Sequence, residues 1–577
     1  MNFLYPIHTE QAECQSCFRC IKQCPVKAVR VENGHAMVVS ELCIMCGNCV
    51  ISCTAKAKQV RNDMPKARQL IQQKKRVIVS LAPSFTSEFS EVTAQQIIAA
   101  LKKLGFWAVS ETALGADFVS SYLSEMFSKA TESKTGQKLF LSSVCPSAVE
   151  FIKQYMSSYA PYITDCASPL LAHARFLKNE YGKDTGIIFI GPCIAAKGEA
   201  DAFSEIDAAI TFEDLRKWLK QEGISPAECE PKEDDCFIPQ KAAQGSLYSI
   251  DGGMISSISS YGNKIRSMAV SGIEQIKDAL EGLDVDSLTE PLFIELLACK
   301  GGCINGPAAN RKSAAATRYI QLMQYADKAE KTLPDTILEK RPVLQGTLPV
   351  NAITKEEHPE EEIRDALRTV GKYSRIDEVN CASCGYDTCR AFAEAMLENK
   401  AETTMCVSYM RKLAQKKASG LIKAIPGSVV IVDKDLKIVE CNKNFARLLG
   451  SDVLDLYELE PGLEGAALNK LVSFAQLFSD VIASNGPDVI ENEVREGKKL
   501  FHVSVFSIEK ELVAGGVIED LTAPEVQKHK IISQAKKVID KNLSVVQQIA
   551  FLLGENAAES EAILNSIIES FSEDEDE

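Results

Sequence analysis

The sequence predicts a multidomain protein of mixed α/β and α+β class. Its 577 residues are too many for a single hydrophobic core, so several domains are expected. The middle of the chain alternates short apolar runs with amphipathic stretches, which is typical of parallel α/β folding. Twenty cysteines occur, most of them in tight local groups. Such grouping, with no sign of export, favours metal binding over disulfides.

Composition excludes several classes of protein. An apolar content of 46% and a charged content of 25% are ordinary for a soluble protein. The net charge of -15 argues against nucleic acid and against anionic membranes as partners. There is no run of about eighteen uncharged apolar residues, and no basic N-terminal segment followed by an apolar one. We therefore expect a cytoplasmic protein without a nucleic-acid or membrane partner.

Region 1–65 carries a cysteine motif twice. The first copy follows the pattern C-x2-C-x2-C-x3-C-P, and the second repeats its spacing with Thr54 in place of the proline. Thiolates at this spacing hold three corners of a [4Fe-4S] cubane, and the fourth cysteine of each run ligates the other cluster. The predicted ligand sets are Cys14, Cys17, Cys20 and Cys53 for one cluster, and Cys43, Cys46, Cys49 and Cys24 for the other. The double motif resembles bacterial two-cluster ferredoxins, which implies a ferredoxin-like domain that passes electrons. Zinc knuckles are the alternative, although zinc sites rarely interlock in this way.

Region 66–345 places cysteines directly after apolar runs. A helix-prone link over 64–75 leads to a predicted buried strand over 76–83. Three later apolar runs each precede a cysteine: 138–141 precedes Cys145, 186–190 precedes Cys193, and 292–298 precedes Cys299. Ligand-binding residues of open parallel sheets lie beyond the carboxyl ends of the strands. Three strand ends are therefore expected to converge on one pocket.

The segments around these cysteines carry a family resemblance. They read Ser-Ser-Val-Cys-Pro to Pro146, Gly-Pro-Cys-Ile-Ala-Ala-Lys-Gly-Glu to Glu199, and Cys-Lys-Gly-Gly-Cys-Ile-Asn-Gly to Gly306. They resemble the H-cluster motifs of [FeFe] hydrogenases over roughly residues 77–310, which implies a two-lobed α/β domain. The resemblance further implies that Cys145, Cys193 and Cys299 hold a [4Fe-4S] cubane. Cys303 would in addition bridge that cubane to a two-iron subsite with CO and CN ligands.

Several neighbours of these ligands depart from the catalytic pattern of that family. Val144 stands where catalytic members have a proton-donating cysteine, and a valine cannot carry a proton. The other departures are Gly191 and Leu297 in place of methionines, Ala196 in place of a lysine that binds a cyanide ligand, and Leu123 and Met126 in place of paired glutamates.

Three polar residues remain as candidates for proton transfer. Ser168 and Glu199 match two members of the family's proton relay, and Lys197 lies one residue beyond the missing lysine. We therefore group Ser168, Glu199 and Lys197 with the four ligands as catalytic candidates. General acid–base chemistry needs a donor within hydrogen-bond reach, and the usual donor is missing. The expectation is slow, reversible H2 oxidation and proton reduction in an H2 or redox sensor.

Two other interpretations of this region stay open. One is a catalytic [FeFe] hydrogenase that exchanges electrons with a ferredoxin-type carrier. The other is a non-catalytic Fe-S scaffold without the two-iron subsite, as in hydrogenase-like assembly factors. The intact C-x-G-G-C-x-N-G segment from Cys299 to Gly306 favours the full cluster.

A further cysteine group follows a stretch over 346–375 that is rich in Pro and Glu and is predicted to be a linker. Region 376–415 resembles a small Fe-S module of several redox proteins, which implies a third further [4Fe-4S] cluster, with structural zinc as the alternative. The four candidate ligands are Cys381, Cys384, Cys389 and Cys406. Their position suggests a relay toward the C-terminus.

Region 416–522 contains almost no cysteine. A predicted hairpin over 427–442 leads into a helix at 444–449, and strands are predicted at 499–504 and 512–519. This pattern resembles a PAS domain, which implies either a ligand-binding sensor or a dimer scaffold. His502 is its lone histidine, so no haem ligand is indicated.

Region 523–577 is predicted to be a helical output segment with an acidic tail at 572–577. Seven-residue spacing lines up Ile532, Ile539, Val546 and Leu553, and beside them Ile531, Val538, Val545 and Leu552. This spacing predicts a helix–helix seam in a homodimer, which Asn542 would help to specify; packing back on the preceding domain is the alternative. The order of domains resembles the sensory group of [FeFe] hydrogenases, which implies a phosphatase or kinase as signalling partner.

Overall fold

The computed structural model describes residues 5–132, 137–262, 265–346, 350–354, 356–483, 486–497, 499–522, 531–541 and 543. The chain divides into two compact units, Met1–Met410 and Arg411–Glu577. All twenty cysteines lie in the described part of the chain, and each is a free thiol. Within those same residues, no helix has the length and apolar character needed to cross a membrane.

The N-terminal region is built as two similar halves. Its elements are β1 (Ile7–Thr9), α1 (Arg19–Lys22), β2 (Val29–Glu32), β3 (His35–Val38), α2 (Asn48–Ser52) and β4 (Lys58–Val60). Strand β1 pairs with β4 and β2 pairs with β3, both antiparallel. The backbone repeats as well: Ser16 and Met45 have φ of 52° and 56°, and Phe18 and Gly47 have φ of 55° and 76°. Each cysteine motif therefore follows the same path into its short helix.

The next region contains two lobes, each with a parallel sheet. Its strands are β5 (Val77–Leu81), β6 (Ala108–Glu111), β7 (Leu139–Leu141), β8 (Gly186–Gly191), β9 (Ala208–Thr211), β10 (Arg266–Ser271) and β11 (Leu292–Leu297). The first sheet has the order β6-β5-β8-β9 and the second the order β10-β11-β7. All neighbouring strands in both sheets run parallel. The carboxyl ends of the strands in each sheet therefore lie at one edge.

Helices cover these sheets. They are α3 (Met64–Gln73), α4 (Phe85–Glu88), α5 (Ala94–Lys103), α6 (Thr112–Glu132), α7 (Pro146–Tyr155), α8 (Pro169–Tyr181), α9 (Ala195–Ala202), α10 (Phe212–Gln221), α11 (Gly253–Ser260), α12 (Ile273–Leu280), α13 (Ala315–Ala326) and α14 (Asp335–Leu338). Aromatic side chains fill the main core: the rings of Phe118 and Phe176 lie 4.9 Å apart, and both are fully buried. Each such burial contributes about 1.5–3 kcal/mol.

The predicted linker over 346–375 is partly helical. Helix α15 (Glu360–Thr369) buries Ile363, Ala366 and Leu367 against α16 (Cys389–Leu397). The Glu-rich composition that suggested a linker belongs to the outer face of this helix, while its apolar residues recur at helical spacing. Helix α17 (Val407–Ala424) follows, and none of its residues is buried.

The second unit contains one antiparallel sheet. Its elements are β12 (Ser428–Asp433), β13 (Ile438–Cys441), α18 (Lys443–Leu449), α19 (Ser451–Leu459), α20 (Ala475–Ile482), β14 (Val489–Glu496), β15 (Lys499–Glu509) and β16 (Val513–Asp520). The five strands have the order β13-β12-β16-β15-β14. The predicted hairpin, helix and two later strands are all present, and β14 is an additional strand. Residues 531–541 are helical, whereas Asn542, the rest of the predicted seam and the acidic tail lie outside the described residues.

Candidate metal centre

Both parallel sheets deliver cysteines to one cavity. Cys193 follows β8 of the first sheet, whereas Cys145 follows β7 and Cys299 follows β11 of the second. These three cysteines and Cys303 line a cavity of about 120 Å³. The sequence placed three cysteines at strand ends, and the structure shows that the ends belong to two lobes that meet at this cavity.

The turn between Cys299 and Cys303 depends on glycine. Gly301 and Gly302 have φ of 74° and 93°, in the left-handed region that a side chain disfavours. A Cβ atom on Gly302 would lie 2.4 Å from the carbonyl oxygen of Ser249. The tight turn brings two thiols four positions apart in the sequence to the same cavity.

Burial acts on all four thiols, and repulsion between neighbouring thiolates acts on three of them. Burial raises the pKa of Cys193 to about 12, and the pKa of Cys145, Cys299 and Cys303 is raised for the same reason. The charges of neighbouring cysteines raise the pKa of Cys193, Cys299 and Cys303 further. Backbone N–H groups partly offset this, as where Ala298 donates to the Cys145 sulfur at 3.4 Å. Four thiolates at this site therefore require a positively charged group, and soft sulfur ligands suit iron.

The spacing of the thiols bears on the kind of metal. Among the described residues, no three His, Cys, Asp or Glu side chains are arranged to hold a single metal ion. Two thiolates on one zinc lie at most about 4.6 Å apart, because each Zn–S bond is about 2.3 Å. The cysteines of a cubane bind different irons and lie farther apart. Four thiolates are the donor set that holds a [4Fe-4S] cubane, and the four cysteines of this cavity fit that requirement.

Apolar side chains surround this cavity where the family pattern has functional groups. Val144, Ala196 and Leu297 all line it. A Cβ atom on Gly191 would lie 2.4 Å from the ring of Phe189, so that ring occupies the space a methionine would need. Leu123 is fully buried in the main hydrophobic core, and Met126 packs against that core. None of these residues has a side chain that can donate a proton, so proton delivery from these six positions is excluded.

Two of the three polar candidates do reach the cavity. Ser168 and Glu199 both line it. The Ser168 hydroxyl accepts a hydrogen bond of 3.1 Å from the Leu171 amide and so begins helix α8. Burial raises the pKa of Glu199 to about 7, against the opposing effect of its hydrogen bond with Ser168. This pair supplies a titratable group beside the cysteines at neutral pH.

Lys197 does not reach the cavity, which corrects its assignment as a catalytic candidate. Its ammonium group donates to a carboxylate oxygen of Asp63 at 3.0 Å and to the Ala209 carbonyl at 2.9 Å. Arg61 joins the same network, with 2.9 Å to Asp63 and a bidentate pair to Asp201. The fully buried Lys197 therefore ties the N-terminal region to the first lobe.

Met45 is a wall residue that sequence reasoning missed. It lies between Cys43 and Cys46, and both Met45 and Cys46 line the cavity. Its sulfur packs over Gly198, where a Cβ atom would lie 2.7 Å from it. No sequence signal indicates this role, since the cysteine motif specifies the ligands and not the residues between them. The N-terminal region thus closes one side of the candidate centre.

Glu295 is a second missed residue, on strand β11. It is 1% exposed, and it accepts a hydrogen bond of 3.1 Å from the Ile255 amide near the start of α11. Its other carboxylate oxygen has no partner among the described residues. The charge of Asp251 raises the pKa of Glu295, and the charge of Glu295 in turn raises the pKa of Cys303. An acidic residue inside an otherwise apolar strand was the available signal.

The free energy of unfolding is expected to fall as pH rises, and replacing Glu295 with glutamine is expected to remove part of that fall. Burial raises the pKa of Glu295 to about 7, so the folded protein holds this proton above the ordinary pKa at which the unfolded chain releases it. The stabilisation is complete below the ordinary pKa of about 4.3 and is lost as pH rises through the folded value. The loss should be on the order of 2 kcal/mol.

Urea unfolding of the full chain at about pH 5 and about pH 8 measures this effect. Glu274→Gln is the matched control, because Glu274 is largely exposed on the neighbouring α12. An equal pH dependence in the wild type and in Glu295→Gln would contradict the prediction.

The N-terminal thiols form two groups. Burial raises the pKa of Cys20, and the charges of Cys14, Cys17 and Cys53 raise it further. Burial likewise raises the pKa of Cys49, with added effects from Cys46, Cys43 and Cys24. These neighbours are the two ligand sets that the sequence predicts, including the exchange of the fourth cysteine.

Three cysteines of the segment 381–406 lie near one another, namely Cys381, Cys384 and Cys406. Burial raises the pKa of Cys384, and the charges of Cys406 and Cys381 add to this effect. Cys381 is exposed, and hydrogen bonds from Ser383 lower its pKa. Cys389 begins α16, and its amide donates to the Asn380 side chain at 2.7 Å. One face of this site is therefore open to solvent.

Comparisons with known proteins agree with this geometry. Residues 75–307 match the family described as "Iron only hydrogenase large subunit, C-terminal domain", and residues 377–408 match a family model for an Fe-S cluster segment. The chain is 26% identical to the periplasmic [Fe] hydrogenase large subunit of Nitratidesulfovibrio vulgaris, over 52% of this chain and 86% of that protein. It is 21% identical to the cytosolic Fe-S cluster assembly factor narfl of Xenopus tropicalis, over 53% of this chain and 76% of that protein.

A solved [FeFe]-hydrogenase structure also aligns, with a TM-score of 0.42 and 18% identity over 51% of this chain and all of that one. The family match establishes that residues 75–307 form an [FeFe]-hydrogenase-like domain. Residues 377–408 form a second segment that matches an Fe-S cluster family.

Proposed function

We propose that this protein carries an H-cluster and acts as a sensor of H2 or of redox state, with slow reversible H2 oxidation and proton reduction. The observation that supports this most directly is the cavity itself. Four cysteines line it together with Val144, Ala196 and Leu297, which replace groups that fast turnover uses. A site that keeps the ligands and loses the proton donor is suited to binding H2 more than to producing it.

Cys145, Cys193, Cys299 and Cys303 would hold the cluster, with Cys303 shared between the cubane and the two-iron subsite. When bound, that group supplies the reversible conversion of H2 into two protons and two electrons. The surrounding residues then have definable roles. Val144 and Leu297 exclude water from the cavity, and Glu199, positioned by Ser168, holds a proton at its carboxyl group.

Electrons would leave through the N-terminal region. The two ligand sets there and the set at Cys381, Cys384, Cys389 and Cys406 would bind three further [4Fe-4S] clusters. A ferredoxin-type carrier would exchange electrons with this relay. We place the protein in the cytoplasm, where a reducing environment keeps cysteines from forming disulfides and leaves them available as cluster ligands.

The second unit would convert the redox change into a signal. We propose that it is a PAS domain, on the basis of its hairpin, helices and five-stranded antiparallel sheet. The charge change at the clusters would bias a two-state element made of this domain and the C-terminal helix. A homodimer would present that helix to a phosphatase or kinase.

A non-catalytic Fe-S scaffold is the second candidate function. The similarity to an Fe-S cluster assembly factor favours it, because the same cysteine set would then hold a cubane alone. A ferredoxin-linked catalytic hydrogenase is the third, favoured by the similarity to the hydrogenase of Nitratidesulfovibrio vulgaris.

Infrared spectroscopy of the anaerobically matured protein separates these candidates. Bands from CO and CN ligands are expected if the two-iron subsite is bound, and their absence after maturation would refute the sensor proposal in favour of a scaffold. Hydrogen-evolution rates equal to those of catalytic family members, measured on the same sample, would instead favour the enzyme.

A further inference from the structure

The segment that follows Cys384 packs directly on helix α1 of the N-terminal region. Gly385 has φ of 92°, and a Cβ atom there would lie 2.9 Å from Ile21 and 3.1 Å from the Phe18 carbonyl oxygen. Only a glycine lets the two backbones approach this closely. Cys384 immediately precedes this contact, and Ile21 lies between Cys20 and Cys24, so predicted cluster ligands flank the contact on both sides.

Lys27 fastens the two segments together. Its ammonium group donates to the Gly385 carbonyl at 3.0 Å and to the Ile21 carbonyl at 3.3 Å. The same group lies 3.8 Å from an Asp387 carboxylate oxygen and 5.9 Å from the centre of the Tyr386 ring. One half-buried cation therefore bonds at once to the end of α1 and to the loop after Cys384.

Two further hydrogen bonds extend this contact to the β2–β3 hairpin. The Val31 amide donates to the Lys400 carbonyl at 2.9 Å. The Gly34 amide donates to a carboxylate oxygen of Glu402 at 3.2 Å. A common hydrophobic core lies beneath them, formed by Ile21, Cys20, Cys24, Tyr386, Phe392, Met405 and Cys406. Cysteines from both regions thus share one core.

The N-terminal region also lines the candidate metal centre. Cys46 and Cys299 line both the cavity of about 120 Å³ and an open groove of about 500 Å³ beside it. The charge of Cys46 also contributes to raising the pKa of Cys299. The N-terminal region therefore contacts both the hydrogenase-like cavity and the segment 384–387.

We infer that the N-terminal region is the electron-transfer station between the hydrogenase-like centre and the cysteine site at 381–406, and that Lys27 is the positioning residue that holds this site in the path. The inference rests on the cluster ligands assigned under the proposed function. In each step one electron leaves a reduced [4Fe-4S] cluster of the N-terminal region and enters the oxidised cluster at 381–406. No bond is formed or broken, and no further reactant is needed.

The test uses the full chain with its [4Fe-4S] clusters reconstituted and without maturation of the two-iron subsite. Lys27→Met removes the charge and keeps the length of the side chain. Gly385→Ala disturbs the same contact from the other side. Lys22→Met is the matched control, because Lys22 is an exposed lysine of the same helix. Electron paramagnetic resonance of the fully reduced protein reports magnetic coupling between clusters, and amide hydrogen exchange reports opening of the contact.

We expect Lys27→Met and Gly385→Ala to lose the coupling between the site at 381–406 and the N-terminal clusters. Amide exchange at 385–392 and 29–34 should rise about tenfold or more, because charge-assisted hydrogen bonds hold this contact. Lys22→Met should match the wild type. Rescue of the coupling by Lys27→Arg, which keeps the charge, would show that the charge does the positioning.

Unchanged coupling in both disrupting variants would overturn the inference, as would a wild-type protein in which the site at 381–406 gives no cluster signal. Neither outcome depends on H2 chemistry, because the two-iron subsite is absent from the sample. Infrared bands after maturation, the test of the proposed function, can therefore succeed or fail independently of this result.

Discussion

Replacing Cys303 with serine is expected to abolish the CO and CN infrared bands of the matured protein while its other clusters persist. The proposed function gives Cys303 the shared position between the cubane and the two-iron subsite. A serine oxygen is a hard donor, and it does not replace a soft thiolate on iron. Cys303 lines the cavity, so its replacement removes a thiolate at the site itself. The expected loss of signal is nearly complete.

Cys236→Ser is the control for this experiment. Cys236 is an exposed free thiol outside the cysteine groups assigned to clusters, so its removal should leave both the infrared bands and the iron content unchanged. Iron analysis separates loss of the two-iron subsite from collapse of the whole protein. Unchanged bands in Cys303→Ser would show that this cysteine does not hold the subsite.

The cysteine groups can be predicted from the sequence because cluster ligands lie in short, regular motifs. The two N-terminal ligand sets follow from spacing alone, and the strand-end cysteines follow from apolar runs that are buried on both faces. Strand β14 was missed for the converse reason, since half of its residues Val489–Glu496 are charged and most of them are exposed. Edge strands of this kind carry little apolar pattern.

The residues that face the centre were harder to predict, because the direction of each side chain depends on how the two lobes pack together. Lys197 and Ala196 are neighbours on helix α9, and successive helical residues point about 100° apart. Ala196 therefore lines the cavity while Lys197 points to Asp63, which comes from a different region of the chain. Met45 and the ring of Phe189 enter the cavity through the same kind of long-range packing.

Glu199 illustrates how far the remaining proton chemistry can be derived. The sequence identified it by resemblance, and the structure places it beside Ser168 in the cavity wall. The physical cause of its raised pKa is burial, which the sequence alone does not show. Val144, next to Cys145, has no proton to transfer, so it gives the Glu199 carboxyl no partner donor at that position.

Replacing Val144 with cysteine is expected to raise hydrogen evolution by at least about tenfold, since a well-placed general acid contributes about 10²–10⁴-fold to a rate. Val144 lines the cavity and directly precedes Cys145, the residue before helix α7. A thiol at position 144 would add a proton donor to the cavity wall, in addition to the carboxyl group of Glu199. The gain should stay below the full range, because Leu123 and Met126 still occupy the positions of the relay glutamates.

The matched control is Val144→Thr, which keeps the shape of the side chain and adds a hydroxyl that is a far weaker acid than a thiol. Rates of hydrogen evolution in H2O and D2O distinguish the two variants: Val144→Cys should be faster and should show a smaller solvent isotope effect than the wild type, whereas Val144→Thr should resemble the wild type. If Val144→Cys is no faster, the missing donor at position 144 does not limit the rate, and the substitution of that donor by valine does not explain slow turnover.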